Sequence, residues 1–253
     1  MQYHGSMWKK YDTKESWTDS KSMEYHQIQW HTPKESTKNI SKVLSPWLGK
    51  SENVIDIGCG AGAVTAYLAS QFPGTMFYGI DKHKSLINIA EQKSKQAKIA
   101  NIQFMPGNIY KLPKKRQVDG VILTQTILLF KDYPKPMRNI FTKIKPKWVA
   151  VTGLFYEGEI SLYVKAVEYK KNRTVNLNTY SINRFSDFCL ENGYKTVLSE
   201  PFEMPIDIEK PSDPNYLGTY TQRLFTTDNS IRRIQITGPL LQNWRTLVLE
   251  NIR

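Results

Sequence analysis

The chain has 253 residues, 35 Lys+Arg against 23 Asp+Glu for a formal net charge of +12, and only two cysteines, Cys59 and Cys189. That length suits one domain of ordinary size with additions, two cysteines exclude a disulfide framework and show no metal-ligand spacing, and no apolar run of about 18 residues is present to span a membrane. The positive balance attracts phosphate-bearing partners, but much of it is lysine spread at solvated helix-face spacing, as in Lys93, Lys95 and Lys98.

The N-terminus is polar and aromatic, unlike a secretory signal, so a reducing, cytoplasmic setting is the expectation. Its Gly5-Ser6-Met7 reads as a cloning remnant ahead of a native start at Met7. Residues 1–32 carry Trp8, Tyr11, Trp17, Tyr25, His26, Trp30 and His31 at a density that water does not favour. They are expected to fold back as a lid over the ligand edge of one domain spanning 33–253. Ser36 to Leu48 then reads as a packing helix, with Ile40, Val43, Leu44 and Leu48 at helical intervals.

Asn53-Val54-Ile55-Asp56-Ile57 is a short β-branched run of the kind that forms a parallel strand buried on both faces. Gly58-x-Gly60-x-Gly62 ends it, and Val64, Tyr67, Leu68 and Phe72 begin a helical pattern, so the local structure is strand, tight turn, helix. A pyrophosphate on that helix start is disfavoured by the carboxylate of Asp56 two positions before the first glycine. A ligand bearing an amino group or a sulfonium suits it better. The next apolar run, Met76 to Ile80, ends in a second acid, Asp81, 25 positions after Asp56.

Asp56-Ile57-Gly58-Cys59-Gly60-Ala61-Gly62, with Asp81, resembles the first motif and second-strand acid of the class I S-adenosylmethionine-dependent methyltransferases. The resemblance implies a Rossmann-like α/β fold with a seven-stranded, mostly parallel sheet. It implies S-adenosylmethionine as cofactor, with S-adenosylhomocysteine as product, held by Asp56, Gly58, Cys59, Gly60, Gly62, Asp81 and Lys82. The piece Gln27 to Pro33 looks like the segment that closes over the methyl donor in small-molecule members, which makes Gln29, Trp30 and Thr32 candidate cofactor contacts.

Lys84 to Ala97 is the next helix, and Asn101 to Met105 the third strand. Asn108 follows it where the family commonly has Asp facing the adenine amino group, and Ile109 is placed to pack on the adenine face. The fourth strand, Gln117 to Thr124, delivers Thr124 and Gln125 to the carboxyl edge, where open α/β sheets bind ligands. Gln125-Thr126-Ile127-Leu128 departs from the (N/D)PP(Y/F) signature of members that methylate exocyclic base amines.

A helix over 134–145 and a strand over 148–154 come next, then an insertion over 155–182 whose periodicity from Ile160 to Tyr169 predicts a cap helix. The last helix, 183–193, and a strand over 194–202 precede an excursion over 203–240 that contains a β-hairpin around Asp228-Asn229-Ser230. A terminal strand over 245–251 closes the chain.

Methyl transfer asks the protein to position a nucleophile and exclude water, and for a hydroxyl to take a proton. His26, His31 and Glu157 are the candidate bases; Tyr156, Tyr180, Arg184 and Arg223 are the candidate substrate contacts, the arginines because their forks bind phosphate and carboxylate. The substrate expected is an anionic small molecule, such as a nucleotide-linked or phosphorylated sugar. The C-terminal elaboration is loosely similar to methyltransferases of bacterial surface-polysaccharide pathways. RNA or protein methylation, and a non-catalytic binding subunit of the same fold, stay open as alternatives.

Overall fold

A computed structural model describes residues 28–112, 118–171, 173–215, 217–228 and 230–253. The expected lid lies outside the described residues apart from 28–32, and His26 lies outside them too.

The first half alternates helix and strand: α1 (Glu35–Leu48), β1 (Asn53–Ile57), α2 (Ala63–Gln71), β2 (Met76–Asp81), α3 (Lys84–Gln96), β3 (Ile102–Pro106) and β4 (Gly120–Thr124). Then come α4 (Pro134–Asn139), β5 (Trp148–Tyr156), β6 (Lys165–Glu168), β7 (Arg173–Asn176), β8 (Thr179–Ser181), α5 (Ile182–Glu191) and β9 (Tyr194–Pro201). The C-terminal part supplies β10 (Thr219–Phe225), β11 (Ile231–Thr237), β12 (Leu240–Gln242) and β13 (Trp244–Asn251).

The central sheet runs β3-β2-β1-β4-β5-β13-β9. Its first five strands pair in parallel, and β13 lies antiparallel between β5 and β9. The seven expected strands are all present, and β8 makes an eighth by pairing with the last three residues of β5. Period-two alternation splits each central strand between two cores. Ile55, Ile57, Val121 and Leu123 pack with Met137, Ile140 and Phe185 on one face. Val54 and Ile122 pack with Leu44, Leu68 and Ile87 on the other.

Two expectations change. The helix over 134–145 is α4 followed by a π-helical turn, Ile140–Ile144, which stops at left-handed Lys145 because Pro146 cannot continue it. The cap helix over Ile160 to Tyr169 is absent: β6 pairs with β7 as a hairpin. Val164 and Ala166, two positions apart, pack on the same small cluster with Val175 and Leu177, so an extended chain buries them and a helix would not. The C-terminal hairpin forms as expected, and β12 adds a third strand to it. Among the described residues no helix is long and apolar enough to cross a membrane.

Candidate active site

The carboxyl edge of the sheet opens onto a cavity of about 710 Å³ between the ends of β1, β2 and β4 and the β6–β7 hairpin. Its floor is the turn after β1. Gly58, Gly60 and Gly62 hold φ of 78°, 56° and 82°, a left-handed run that side chains resist. Gly62 has a second reason to be glycine, since a Cβ there would sit 2.5 Å from the Phe104 ring. The N–H groups of Gly58 and Cys59 both donate to the carbonyl of Ile80, which fastens the turn to β2.

Two carboxylates face this turn. Asp56, in phase with Val54, points toward α2, where Thr65 Oγ1 donates to its Oδ2 at 2.6 Å. Its Oδ1 is buried without a hydrogen-bond partner among the described residues, although the residue lines the cavity. Burial foremost, with the charge of Asp81 adding to it, pushes the Asp56 carboxyl up to about 6 against the opposing Thr65 bond. Asp81 ends β2 and accepts the N–H of Gly60 on Oδ2 at 3.0 Å and that of His83 on Oδ1 at 2.8 Å. It thus ties the glycine turn to the start of α3.

The structure brings Gln29, Asp56, Gly58, Cys59, Gly60, Asp81, Lys82, Asn108, Ile109, Thr124 and Gln125 to the cavity wall. Asn108 also serves its own turn, accepting the Tyr110 N–H on Oδ1 at 2.9 Å. Cys59 is no nucleophile at neutral pH, because burial holds its thiol well above the ordinary range. Trp30 stands behind the wall: its indole N–H donates to the Ala61 carbonyl at 2.8 Å and braces the turn from the α1 side.

Other expected site residues lie elsewhere. Thr32 and His31 are exposed and off the cavity wall. Glu157 pairs with Arg245 at the surface, and Arg184 with Glu159. Arg223 is held by Asp207 in the C-terminal sheet, a carboxylate that Arg223 and Arg233 together hold down at about 2. Tyr156 is exposed at the end of β5. Tyr180 is fully buried, edge-on to Tyr133, and its hydroxyl donates to the Ile127 carbonyl, so it packs the core and does not face a substrate.

The far half of the cavity is walled by Thr126, which the sequence places at the carboxyl edge with Thr124 and Gln125, and by residues the sequence did not single out: Leu129, Phe130 and Lys131 after β4, and Thr174, Val175 and Asn176 from β7. The alternation in Arg173-Thr174-Val175-Asn176 was the available signal, masked by the helical spacing just before it.

An S-adenosyl sulfonium compound fits this chemistry. Asp56, which lines the cavity, keeps one carboxylate oxygen buried without a hydrogen-bond partner among the described residues, and a second carboxylate sits beside a glycine turn that lets a ligand approach the backbone.

Comparison with known proteins agrees with the geometry. The methyltransferase domain family matches residues 48–197. (S)-Tetrahydroprotoberberine N-methyltransferase of Eschscholzia californica is 24% identical over 153 residues, covering 58% of this chain and 39% of that protein. Malonyl-(acyl-carrier protein) O-methyltransferase of Priestia megaterium is 20% identical over 172 residues, 65% of this chain and 61% of that protein. The chain therefore spans less than two thirds of either relative. Magnesium protoporphyrin IX methyltransferase from Synechocystis PCC 6803, solved with bound S-adenosylhomocysteine, shares the fold: the TM-score is 0.55 at 12% identity, over 86% of this chain and 82% of that one.

Proposed function

The chain belongs to the methyltransferase domain family, in the class I S-adenosylmethionine-dependent group, and from that premise we propose that it methylates an oxygen or nitrogen of an anionic small molecule. The acceptor class that fits is a nucleotide-linked or phosphorylated sugar or another phosphate derivative, of the kind used in surface-polysaccharide assembly. The observation that carries the methyl-donor reading is Asp56 Oδ1, a buried carboxylate oxygen in the cavity that no residue described satisfies.

When bound, S-adenosylmethionine supplies a methyl group already activated by its sulfonium. Asp81 receives the ribose hydroxyls, its two oxygens already oriented by the Gly60 and His83 N–H groups. Asp56 receives the donor's amino group. Ile109 packs on the adenine, and Asn108 Oδ1 keeps a lone pair for the ring's amino group beyond the one Tyr110 uses.

Support for an anionic acceptor is the net charge of +12 together with Lys34, Lys82 and Lys131 on the cavity wall. Arg184 and Arg223 are off the wall, paired with Glu159 and Asp207. With His31 and Glu157 off the wall, the polar groups around the acceptor half among the described residues are the amides and hydroxyls of Gln125, Thr126, Thr174 and Asn176 and the ammonium of Lys131. Such groups orient a nucleophile but do not strip its proton. The acceptor atoms that suit them are an oxygen already ionised or a neutral nitrogen.

Incubation with radiolabelled S-adenosylmethionine and a panel of nucleotide sugars, phosphate esters, tRNA and peptides tests the proposal. Label is expected in the anionic small molecules; label confined to tRNA or peptides would overturn the substrate class.

A further inference from the structure

The edges of the central and C-terminal sheets are finished differently. The central sheet ends in β3 and β9. β3 closes on Pro106, and β9 carries Lys195, Glu200 and Pro201 at exposed positions, residues that discourage another strand from pairing. The C-terminal sheet runs β10-β11-β12, so β10 is an edge as well. Its last residues are apolar and uncovered: Leu224 is 48% exposed, Phe225 74%, and Ile231, opposite Phe225 on β11, 46%. The single charge on this strand, Arg223, is paired with Asp207.

The backbone of this edge is open too. The Thr226 N–H donates to Ser230 O at 3.0 Å, and in an antiparallel ladder bonded pairs alternate with unbonded ones. Gln222 and Leu224 therefore bond to β11, while Thr221, Arg223 and Phe225 turn their N–H and C=O groups outward. Thr221 uses its outward N–H on Ile208 O at 3.0 Å. Among the described residues no backbone carbonyl takes the outward N–H of Arg223 or of Phe225.

Charge selects what can sit on such an edge. Residues 203–242 carry four Lys+Arg and five Asp+Glu, a local balance of −1 on a chain of +12. Nucleic acid or an anionic lipid surface, which the rest of the chain attracts, finds no net attraction here, whereas a second copy of the same edge meets little repulsion. The strand is also complementary to itself. Two β10 strands set antiparallel about Leu224 place Arg223 of each copy opposite Phe225 of the other, so the outward N–H and C=O groups close four hydrogen bonds. Leu224 then meets its own counterpart at an unbonded pair, where side chains approach closest, and each Phe225 ring gains an arginine stem beside it.

We propose that β10 pairs edge to edge with β10 of a second copy, giving a two-fold dimer whose two C-terminal sheets join into one. Pairing of about five residues a side buries less than the roughly 1,200 Å² of a standard interface, so the dimer dissociates in the micromolar range.

Sedimentation equilibrium of the full chain from about 1 to 500 µM tests this, with amide-resolved hydrogen exchange at both ends of that range. Wild type is expected to pass from monomer to dimer, and the Arg223 and Phe225 amides to gain protection as it does. Leu224→Lys sets like charges against each other at the two-fold axis and removes a leucine from each side, so the dissociation constant is expected to rise about 100-fold. Phe225→Pro removes an outward N–H without touching the ladder to β11 and is expected to abolish the dimer. Leu241→Lys, 49% exposed on the far strand of the same sheet, is expected to dimerise as wild type does. Thermal unfolding of each variant checks its fold; if one fails to fold, the concentration dependence of the two wild-type amides still decides. A monomer at every concentration, a dimer that Leu224→Lys and Phe225→Pro leave intact, or an equal loss in Leu241→Lys would overturn the proposal. So would protection of the two amides in a monomer, because the edge is then covered from within the chain.

Discussion

The two halves of the cavity are built in opposite ways. The donor half is local: Asp56 is held by Thr65 nine residues on, and Asp81 holds Gly60 and His83, all within consecutive strand, turn and helix units. The acceptor half is assembled from three distant stretches. Leu128 and Leu129 after β4, Val164 to Leu177 of the hairpin, and Leu217, Leu240 and Trp244 near the C-terminal sheet meet in one small apolar cluster. Binding of the donor is therefore written into contiguous sequence, while the acceptor wall depends on tertiary packing of segments up to about a hundred residues apart.

Substitutions can separate the halves. The largest effect is expected from Gly62→Ala, which needs a left-handed alanine and pushes Cβ into the Phe104 ring: about 2 to 4 kcal/mol of stability lost in urea unfolding. Leu177→Ala, in the small cluster, should cost about 2 to 3 kcal/mol and leave affinity for S-adenosylhomocysteine unchanged. A parallel loss of that affinity would break the distinction between the halves. Asp81→Asn acts on the donor half, weakening S-adenosylhomocysteine binding by about 1.5 to 3 kcal/mol by calorimetry, and it also lowers the melting point because an amide cannot accept both the Gly60 and His83 N–H groups.

A smaller effect is expected from pH. The Asp56 carboxyl sits at about 6 in the fold against an ordinary 3.8, so the unliganded protein keeps its proton between those values and loses that stabilisation as pH rises through about 6. A cationic amino group prefers the ionised form. Affinity for S-adenosylhomocysteine should accordingly fall as pH drops through about 6, and Asp56→Asn should flatten that profile. The smallest effect is reserved for Arg223→Gln, whose pair with Asp207 is a solvent-exposed one remote from the cavity wall; ligand affinity and melting should both stay near wild type.

The same contrast explains what the sequence disclosed. The glycine turn, Asp56 and Asp81 were legible because short-range spacing alone places them, and the first five strands because each is a short apolar run between helical or turn stretches. The β6–β7 hairpin was not, because Ile160, Val164 and Val167 satisfy a helical period as well as they supply β-branched residues to a strand, and only the distant Leu128 and Leu240 decide between them. Tyr180, Arg184 and Arg223 were placed at the substrate for their chemistry. The core around Tyr133 claims the first, and the acids Glu159 and Asp207 claim the others.

The most direct measurement is a crystal structure of the protein with S-adenosylhomocysteine. The expected result places both ribose hydroxyls on Asp81 and the amino group on Asp56 Oδ1, below the glycine turn. A ligand bound away from these two carboxylates, or a cavity left empty at saturating concentration, would contradict the assignment of this edge as the methyl-donor site.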